Sequence, residues 1–288
     1  MTGTRARRTV VSVGVSAALA CVTACTGPGG SDGSGDAAPP AASAGSTAPS
    51  ASAPPSSRPP AVTGPSADAL RAVERATGRA GSARVESTTV MGSELSLDAA
   101  GALGWDAGLT GTLTITYTGG TTAETMRRLG TTAMEARYLP DAYYARMGDA
   151  FAERLDGRHW IKYVYEDLEE LDGGAGDDFA EQMRNTTPHR AVKLLLTAED
   201  VRRVGEETTR GRRTTHWSGT VGGATEQTVD IWVDDRDLLV KKVERGRTKT
   251  GEMTQTAYYG DYGVAVSAER PPAADTADFK ELLASQGS

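Results

Sequence analysis

Beyond residue 66, polar and apolar positions recur along the chain with two different periods. The shorter is two. In 112–118, Leu113, Ile115 and Tyr117 fall on one face and threonines on the other, which predicts a half-buried antiparallel strand. The same alternation runs through 159–165, 214–221 and 229–234. Arg137-Tyr138-Leu139, Pro140-Asp141, then Ala142-Tyr143-Tyr144-Ala145-Arg146 reads as strand, tight turn, strand, with Pro140 setting the turn. Asp156-Gly157 and Arg210-Gly211 lie between further strand-like runs and predict two more hairpins.

The helical period appears in three places. Ser66 or Asp68 caps a first helix with Leu70, Val73, Ala76 and Thr77 on one face, and Gly78 or Gly81 ends it. Pro188 opens a short helix through Val192, Leu195 and Leu196, and 275–285 predicts a last one with Phe279, Leu282 and Leu283 together. Between Glu166 and Asn185 the chain is acidic and glycine-containing, in helix or loop chemistry. Because the helices do not alternate with the strands, the expected fold class is α+β, with a curved antiparallel sheet packed against a few helices.

Ahead of this region the pattern is of another kind. Arg5, Arg7 and Arg8 precede an apolar run from Val10 to Ala24, too short to span a bilayer as an ordinary helix and suited to a signal peptide over 1–24. Val22-Thr23-Ala24-Cys25 resembles a bacterial lipobox, which makes Cys25 the expected site of lipid attachment; at Cys21 the bulky Leu19 stands one place too close. A plain secretory signal cleaved elsewhere is the competing reading. Arg7-Arg8 also suits a twin-arginine signal, so both export routes stay open.

Residues 26–65 are almost entirely Gly, Ala, Ser, Thr and Pro, with Val62 as the one large aliphatic side chain. Such a segment cannot bury enough apolar surface to offset its ordering entropy and is expected to be a disordered tether. As a flexible coil its ends lie roughly 35 Å apart, and fully extended it reaches roughly 120 Å. With Cys25 this makes a lipidated tether over 25–65, followed by one folded domain over 66–288.

Charge and cysteine count narrow the chemistry. Loss of the three arginines of the signal carries the net charge from −7 to −10 and leaves a single cysteine, reserved for lipid. No disulfide, thiolate metal site or cysteine nucleophile then remains for the folded part. An acidic protein is repelled by an anionic bilayer, so two acyl chains have to hold it there. The same charge, outside the membrane, excludes a nucleic-acid footprint. His159, His189 and His216 are far apart and fit no metal or catalytic spacing, and no nucleophile elbow or phosphate-binding glycine loop occurs. No catalytic residue, metal or cofactor is therefore expected.

Two charge runs are read as solvated faces, each with a functional alternative. The carboxylates Glu166, Asp167, Glu169, Glu170, Asp172, Asp177, Asp178 and Glu181 would suit a hard cation, but Leu171 and Asp172 break the EF-hand spacing. Arg202, Arg203, Arg210, Arg212 and Arg213 would suit an anionic head group, although alternation in a hairpin puts most of them in water.

Lipobox, tether, first helix, long meander, mid-chain helices before Ala198-Glu199-Asp200-Val201, then Val204-Gly205-Glu206-Glu207, Thr215-His216-Trp217-Ser218-Gly219, the 229–234 strand and Tyr262-Gly263 together resemble the actinobacterial LppX and LprG lipoproteins. Those are similar to the LolA and LolB carriers, whose curved half-barrel sheet wraps a hydrophobic cavity lidded by helices. The resemblance implies a non-catalytic carrier or sensor on the outer face of the cytoplasmic membrane, held by a diacylglyceryl cysteine and taking a lipid, glycolipid or other amphiphile. The expected cavity lining is Leu113, Ile115, Tyr117, Tyr138, Tyr143, Ile161, Trp217, Ile231, Val233 and Leu239, with Val192, Leu195 and Leu196 as lid. The same side chains packed together would instead make a filled core, and the protein an envelope scaffold without a small-molecule ligand.

Thiol chemistry at the lipobox has a direct test. Cys25→Ser is expected to abolish incorporation of a fatty-acid label and to release the protein from membranes, while Cys21→Ser leaves both unchanged. Label persisting on the Cys25 variant would refute the assignment.

Overall fold

The computed structural model describes residues 64–170, 186–222, 226–248 and 251–286. The signal segment, Cys25, the tether as far as residue 63, and Asp172, Asp177, Asp178 and Glu181 of the acidic run lie outside them. Helix α1 (Pro65–Arg79) leads into strands β1 (Ser82–Met91), β2 (Leu95–Gly104) and β3 (Thr110–Gly119). Helix α2 (Gly120–Arg128) then precedes β4 (Ala133–Tyr138) and β5 (Ala142–Arg146). A short α3 (Asp149–Ala152) with a 3-10 turn precedes β6 (Trp160–Val164), which runs into α4 (Tyr165–Glu169). After α5 (Pro188–Leu195) come β7 (Arg202–Thr209), β8 (Arg212–Val221), β9 (Gln227–Asp234), β10 (Leu239–Thr248) and β11 (Gly251–Gly260). Strand β12 (Thr276–Asp278) and helix α6 (Phe279–Gln286) close the described chain.

The strands form one open, curved 12-stranded sheet in the order β12-β6-β5-β4-β3-β2-β1-β11-β10-β9-β8-β7. Every pairing is antiparallel except β12 with β6. The fold class is therefore the α+β antiparallel architecture expected from the pattern. Two meanders, β1–β6 and β7–β11, meet where β1 pairs β11.

Local chemistry accounts for the turns. Leu139 and Ala142 exchange both backbone hydrogen bonds around Pro140-Asp141, closing the β4–β5 hairpin as predicted. Arg210 at φ 49° and Gly211 at φ 77° close β7–β8, the pair of positive angles that a two-residue hairpin requires. Asp156-Gly157 behaves otherwise. Its positive φ values, 55° and 83°, end the 3-10 turn and redirect the chain into β6, so the hairpin expected there is absent. Both devices need φ > 0, and composition alone does not separate them. Helix α1 likewise begins earlier than expected: Gly64 is its N-cap and Pro65 supplies a pre-set first-turn φ, while Asp68 sits in the first turn and pairs with Arg71 at 3.1 Å. The last helix starts at Phe279 because 276–278 is drawn into parallel pairing with β6.

One face of the sheet, the inner face, carries the core. Leu70 and Val73 of α1, and Val192 and Leu195 of α5, pack with Trp217, Ile231, Val233, Leu239 and Tyr259 in one apolar cluster. Thr77 locks α1 to the β9–β10 turn: its buried hydroxyl lies 3.4 Å from the Asp237 carbonyl and accepts the Leu239 N–H at 3.3 Å. Trp105 Nε1 donates to the Gly78 carbonyl at 2.9 Å, tying the end of α1 to the β2–β3 loop.

The seat of α5 depends on Gly219. A Cβ there would lie 2.9 Å from both Ala198 Cβ and Leu195 Cδ1, and 3.3 Å from Val201 Cγ2. Gly219→Val is thus expected to push α5 off β8 and to lower stability by about 1–3 kcal/mol, the usual cost of overpacking. Thermal or urea unfolding checks this; an unchanged midpoint would mean that α5 is not packed as described.

Candidate functional site

Antiparallel register sets inner-face side chains in rows that cross the strands. One row runs Tyr259, Val85, Gly101, Leu113, Ala136, Ala145, Ile161, Ala277 from β11 to β12. Its side chains are buried and form the middle of the core. The next row is Ile231, Lys242, Ala257, Ser87, Ala99, Ile115, Met134, and the one after it is Val229, Glu244, Gln255, Thr89, Leu97, Tyr117. These two rows are less completely covered: Ser87, Thr89, Leu97, Ile115, Tyr117 and Gln255 are only half-buried. They make a strip across the middle of the inner face.

The side chains expected to line a cavity divide between these rows. Leu113, Tyr138, Tyr143, Ile161, Leu195, Trp217, Ile231, Val233 and Leu239 are buried in the apolar cluster, Leu195 at 0% exposure. Val192 is buried with them, whereas Leu196 packs at the margin. Tyr138, Tyr143, Tyr163 and Phe279 stack successively at 5.2, 5.7 and 4.7 Å between ring centres, and burial raises all three phenols far above the ordinary tyrosine value, so they stay neutral. Ile115 and Tyr117 belong to the half-buried strip instead. A void of about 10 Å³ lies between Leu168 and Phe279, at or below the room a water needs. An open depression of about 480 Å³ lies where β10 ends and β11 begins, lined by Glu226, Arg245, Gly246, Arg247, Glu252, Met253 and Thr254. Gly246 and Met253 are the inner-face positions directly beyond Glu244 and Gln255, so the depression adjoins the strip.

The floor of the strip contains a feature that the sequence pattern did not disclose. Lys242 Nζ donates to Glu244 Oε1 at 2.9 Å, with the two side chains only 9% and 12% exposed. Burial alone would lower the Lys242 ammonium, but the Glu244 carboxylate and the Tyr259 phenol beside it together outweigh that and hold it above the usual lysine range. The pair faces inward because of a register shift between Leu239 and Lys241. Had β10 alternated unbroken from Leu239, then Lys241, Val243 and Arg245 would point in. Gln255 Nε2 donates to Thr89 Oγ1 at 3.3 Å beside the pair.

The remaining charged candidates are engaged elsewhere. On the outer face His216 Nε2 donates to Asp230 Oδ1 at 2.9 Å, and the ring stacks on Trp232 at 4.2 Å. His159 pairs with Asp275 at 2.8 Å, and the hydrogen bonds from its ring and backbone N–H hold the Asp275 carboxyl below its usual value. His189 packs against Trp105, and desolvation lowers its imidazole below the ordinary histidine value. Each of the five arginines of the β7–β8 region has a carboxylate partner: Arg202 has Asp200, Arg203 and Arg213 share Glu206, Arg210 has Glu86, and Arg212 has Asp234. Of the acidic run, Asp167 and Glu170 bind Lys280 at 2.7 and 2.9 Å. Among the described residues no three His, Cys, Asp or Glu side chains are grouped to hold a metal ion, and no helix is long and apolar enough to cross a membrane.

Comparison with known proteins identifies relatives in Streptomyces. A Streptomyces coelicolor protein named as a lipoprotein is 86% identical over 288 residues, covering 100% of both chains. An uncharacterized 31.2 kDa protein of Streptomyces griseus, from the rplA-rplJ intergenic region, is 48% identical over 247 residues, covering 76% of this chain and 81% of its own. No family model matches. Among solved structures, Mycobacterium tuberculosis lipoprotein LppX aligns at 14% identity and TM-score 0.47, over 71% of this chain and 98% of its own. Mycobacterium bovis LprF aligns at 15% identity and TM-score 0.44, over 72% and 97%. The lipoprotein resemblance read from the sequence thus holds in the name of the 86% identical relative.

The ion pair in the strip predicts an asymmetric mutational response. Lys242→Met leaves Glu244 buried without its partner and is expected to cost about 3–5 kcal/mol, whereas replacing both, Lys242→Met with Glu244→Leu, costs clearly less. Urea unfolding of the two variants measures the difference. Equal losses would mean that the pair is not coupled.

Proposed function

The chain belongs to the Streptomyces lipoprotein family of its 86% identical relative, and from that premise we propose that it is a non-catalytic binding protein of the cell envelope, tethered through Cys25 to the outer face of the cytoplasmic membrane, which takes an amphipathic molecule along the half-buried strip of its inner face. The observation that carries this reading is the division of the inner face. Alternate positions on β4–β6 and β8–β9 are packed shut as core, while Ser87, Thr89, Leu97, Ile115, Tyr117 and Gln255 are left half-buried. An acyl chain laid over Leu97, Ile115 and Tyr117 gains about 25 cal/mol for each Å² of apolar surface removed from water. No covalent step or metal enters.

The competing reading, an envelope scaffold with a filled core, draws support from Leu113, Ile161, Leu195, Ile231 and the tyrosine stack, all packed among themselves. The two readings part at Ile115. Native mass spectrometry of the purified lipoprotein, with organic extraction of the same sample, is expected to find a co-purifying amphiphile. Ile115→Trp, which fills the strip without entering the buried row, is expected to reduce that occupancy at least tenfold, about 1.4 kcal/mol, with the melting temperature nearly unchanged. An empty wild-type protein that also fails to take up an added amphiphile at micromolar concentration would leave the scaffold.

A further inference from the structure

The strip is not apolar along its length. Toward β3 it presents Leu97, Ile115 and Tyr117; toward β10 it presents Ser87, Thr89, Gln255 and the Lys242–Glu244 pair. Ala99, Ser87 and Ala257 stand in one row across it, three small side chains that leave the floor low there. The polar end is also the one beside the open depression, through Gly246 and Met253. An amphiphile fits such a surface in one direction, with its chain toward β3 and its head near β10.

Resting on the reading of this strip as an amphiphile site, we infer that the Lys242–Glu244 pair is a specificity element that accepts head groups without net charge and rejects anionic ones. A lone buried lysine would do the reverse. Here the ammonium is already neutralised at 2.9 Å by a carboxylate that shares its burial. An incoming carboxylate or phosphate monoester has to displace Glu244 or lie beside it, and either outcome leaves a negative charge desolvated without compensation. A head of hydroxyls, or a zwitterion, gives up only hydrogen bonds to water. The site offers replacements on both sides of the balance, with donors from Lys242 and the Gln255 amide and acceptors from Glu244 and the Gln255 carbonyl, alongside the hydroxyls of Thr89 and Ser87. The pair's own opposite charges also match a zwitterion end to end.

The test compares three amphiphiles of one chain length on the purified full-length lipoprotein: dodecyl maltoside, dodecylphosphocholine and laurate, each below its micelle-forming concentration. The two net-neutral probes are expected to bind at least about tenfold more tightly than laurate, the discrimination of about 1.4 kcal/mol that one uncompensated charge readily exceeds. Glu244→Gln, which strips Lys242 of its counter-ion, is expected to reverse the order in favour of laurate. Because that variant loses a buried partner, the apolar double replacement Lys242→Met with Glu244→Leu is measured beside it and is expected to bind the three probes without reversing for laurate and with at most a few-fold preference. Laurate binding the wild type as tightly as the others, or the wild-type preference surviving in the double variant, would overturn the specificity role while leaving the strip as the site. Failure of all three probes to bind the wild type would sink the strip itself, and this inference with it.

Discussion

The backbone ladder between β1 and β11 is the constraint on which the rest of the molecule depends. Its partners, from Arg84↔Gly260 to Met91↔Met253, join segments from opposite ends of the folded chain. Every other long antiparallel ladder in the sheet joins strands consecutive in sequence. Without β1–β11 the two meanders would each end in an unpaired edge, and the inner rows would be cut in half. Side chains reinforce it on both faces. Gln255 reaches Thr89 on the inner side, and Arg210 on the outer side lies 3.8 Å over the Tyr258 ring while pairing with Glu86 at 2.7 Å.

The outer face shows how this register organises charge. His216, Trp232, Lys241, Tyr258 and Glu86 stand directly opposite one another on β8, β9, β10, β11 and β1. The indole of Trp232 is held between the His216 ring and the Lys241 ammonium, 4.0 Å from its centre, and its N–H donates to Glu207. Aromatic and cationic groups at such separations attract through the ring quadrupole. The arginines that look like a basic patch in the sequence are paired with carboxylates, and Arg210 lies over the Tyr258 ring as well. On the opposite half of the outer face, the strap over 261–275 is pinned by Arg270 to Asp141 at 2.9 Å and by Arg137 to the Glu269 carbonyl. It carries the chain to β12, whose parallel pairing closes that edge.

Packing and openness are set by where helices land. Helices α1 and α5 lie together on the inner face, where α5 touches β8, β9 and β10, and the tyrosine stack with Phe279 closes the β4–β6 side. Between them the sheet offers small or polar side chains, Ala99, Ser87, Thr89 and Gln255, to which an apolar helix face gains little by binding. The half-covered strip follows from that composition as much as from the helices' positions.

Much of this was legible without coordinates, and for a physical reason: alternation and helical period are local, so 112–118, 229–234, the Pro140-Asp141 and Arg210-Gly211 turns and the Pro188 helix all declare themselves. The α+β class follows from the order of those elements. Tertiary structure alone decided which alternating face is shut and which stays accessible, since Leu113 and Ile115 have the same pattern and differ only in the row their register assigns them. It also decided β10, where a single register shift turns Lys242 and Glu244 inward and Lys241 outward onto Trp232. A bulge changes no residue, only the count between strands, and hydrophobic periodicity measured on one strand carries no record of the count on its neighbour.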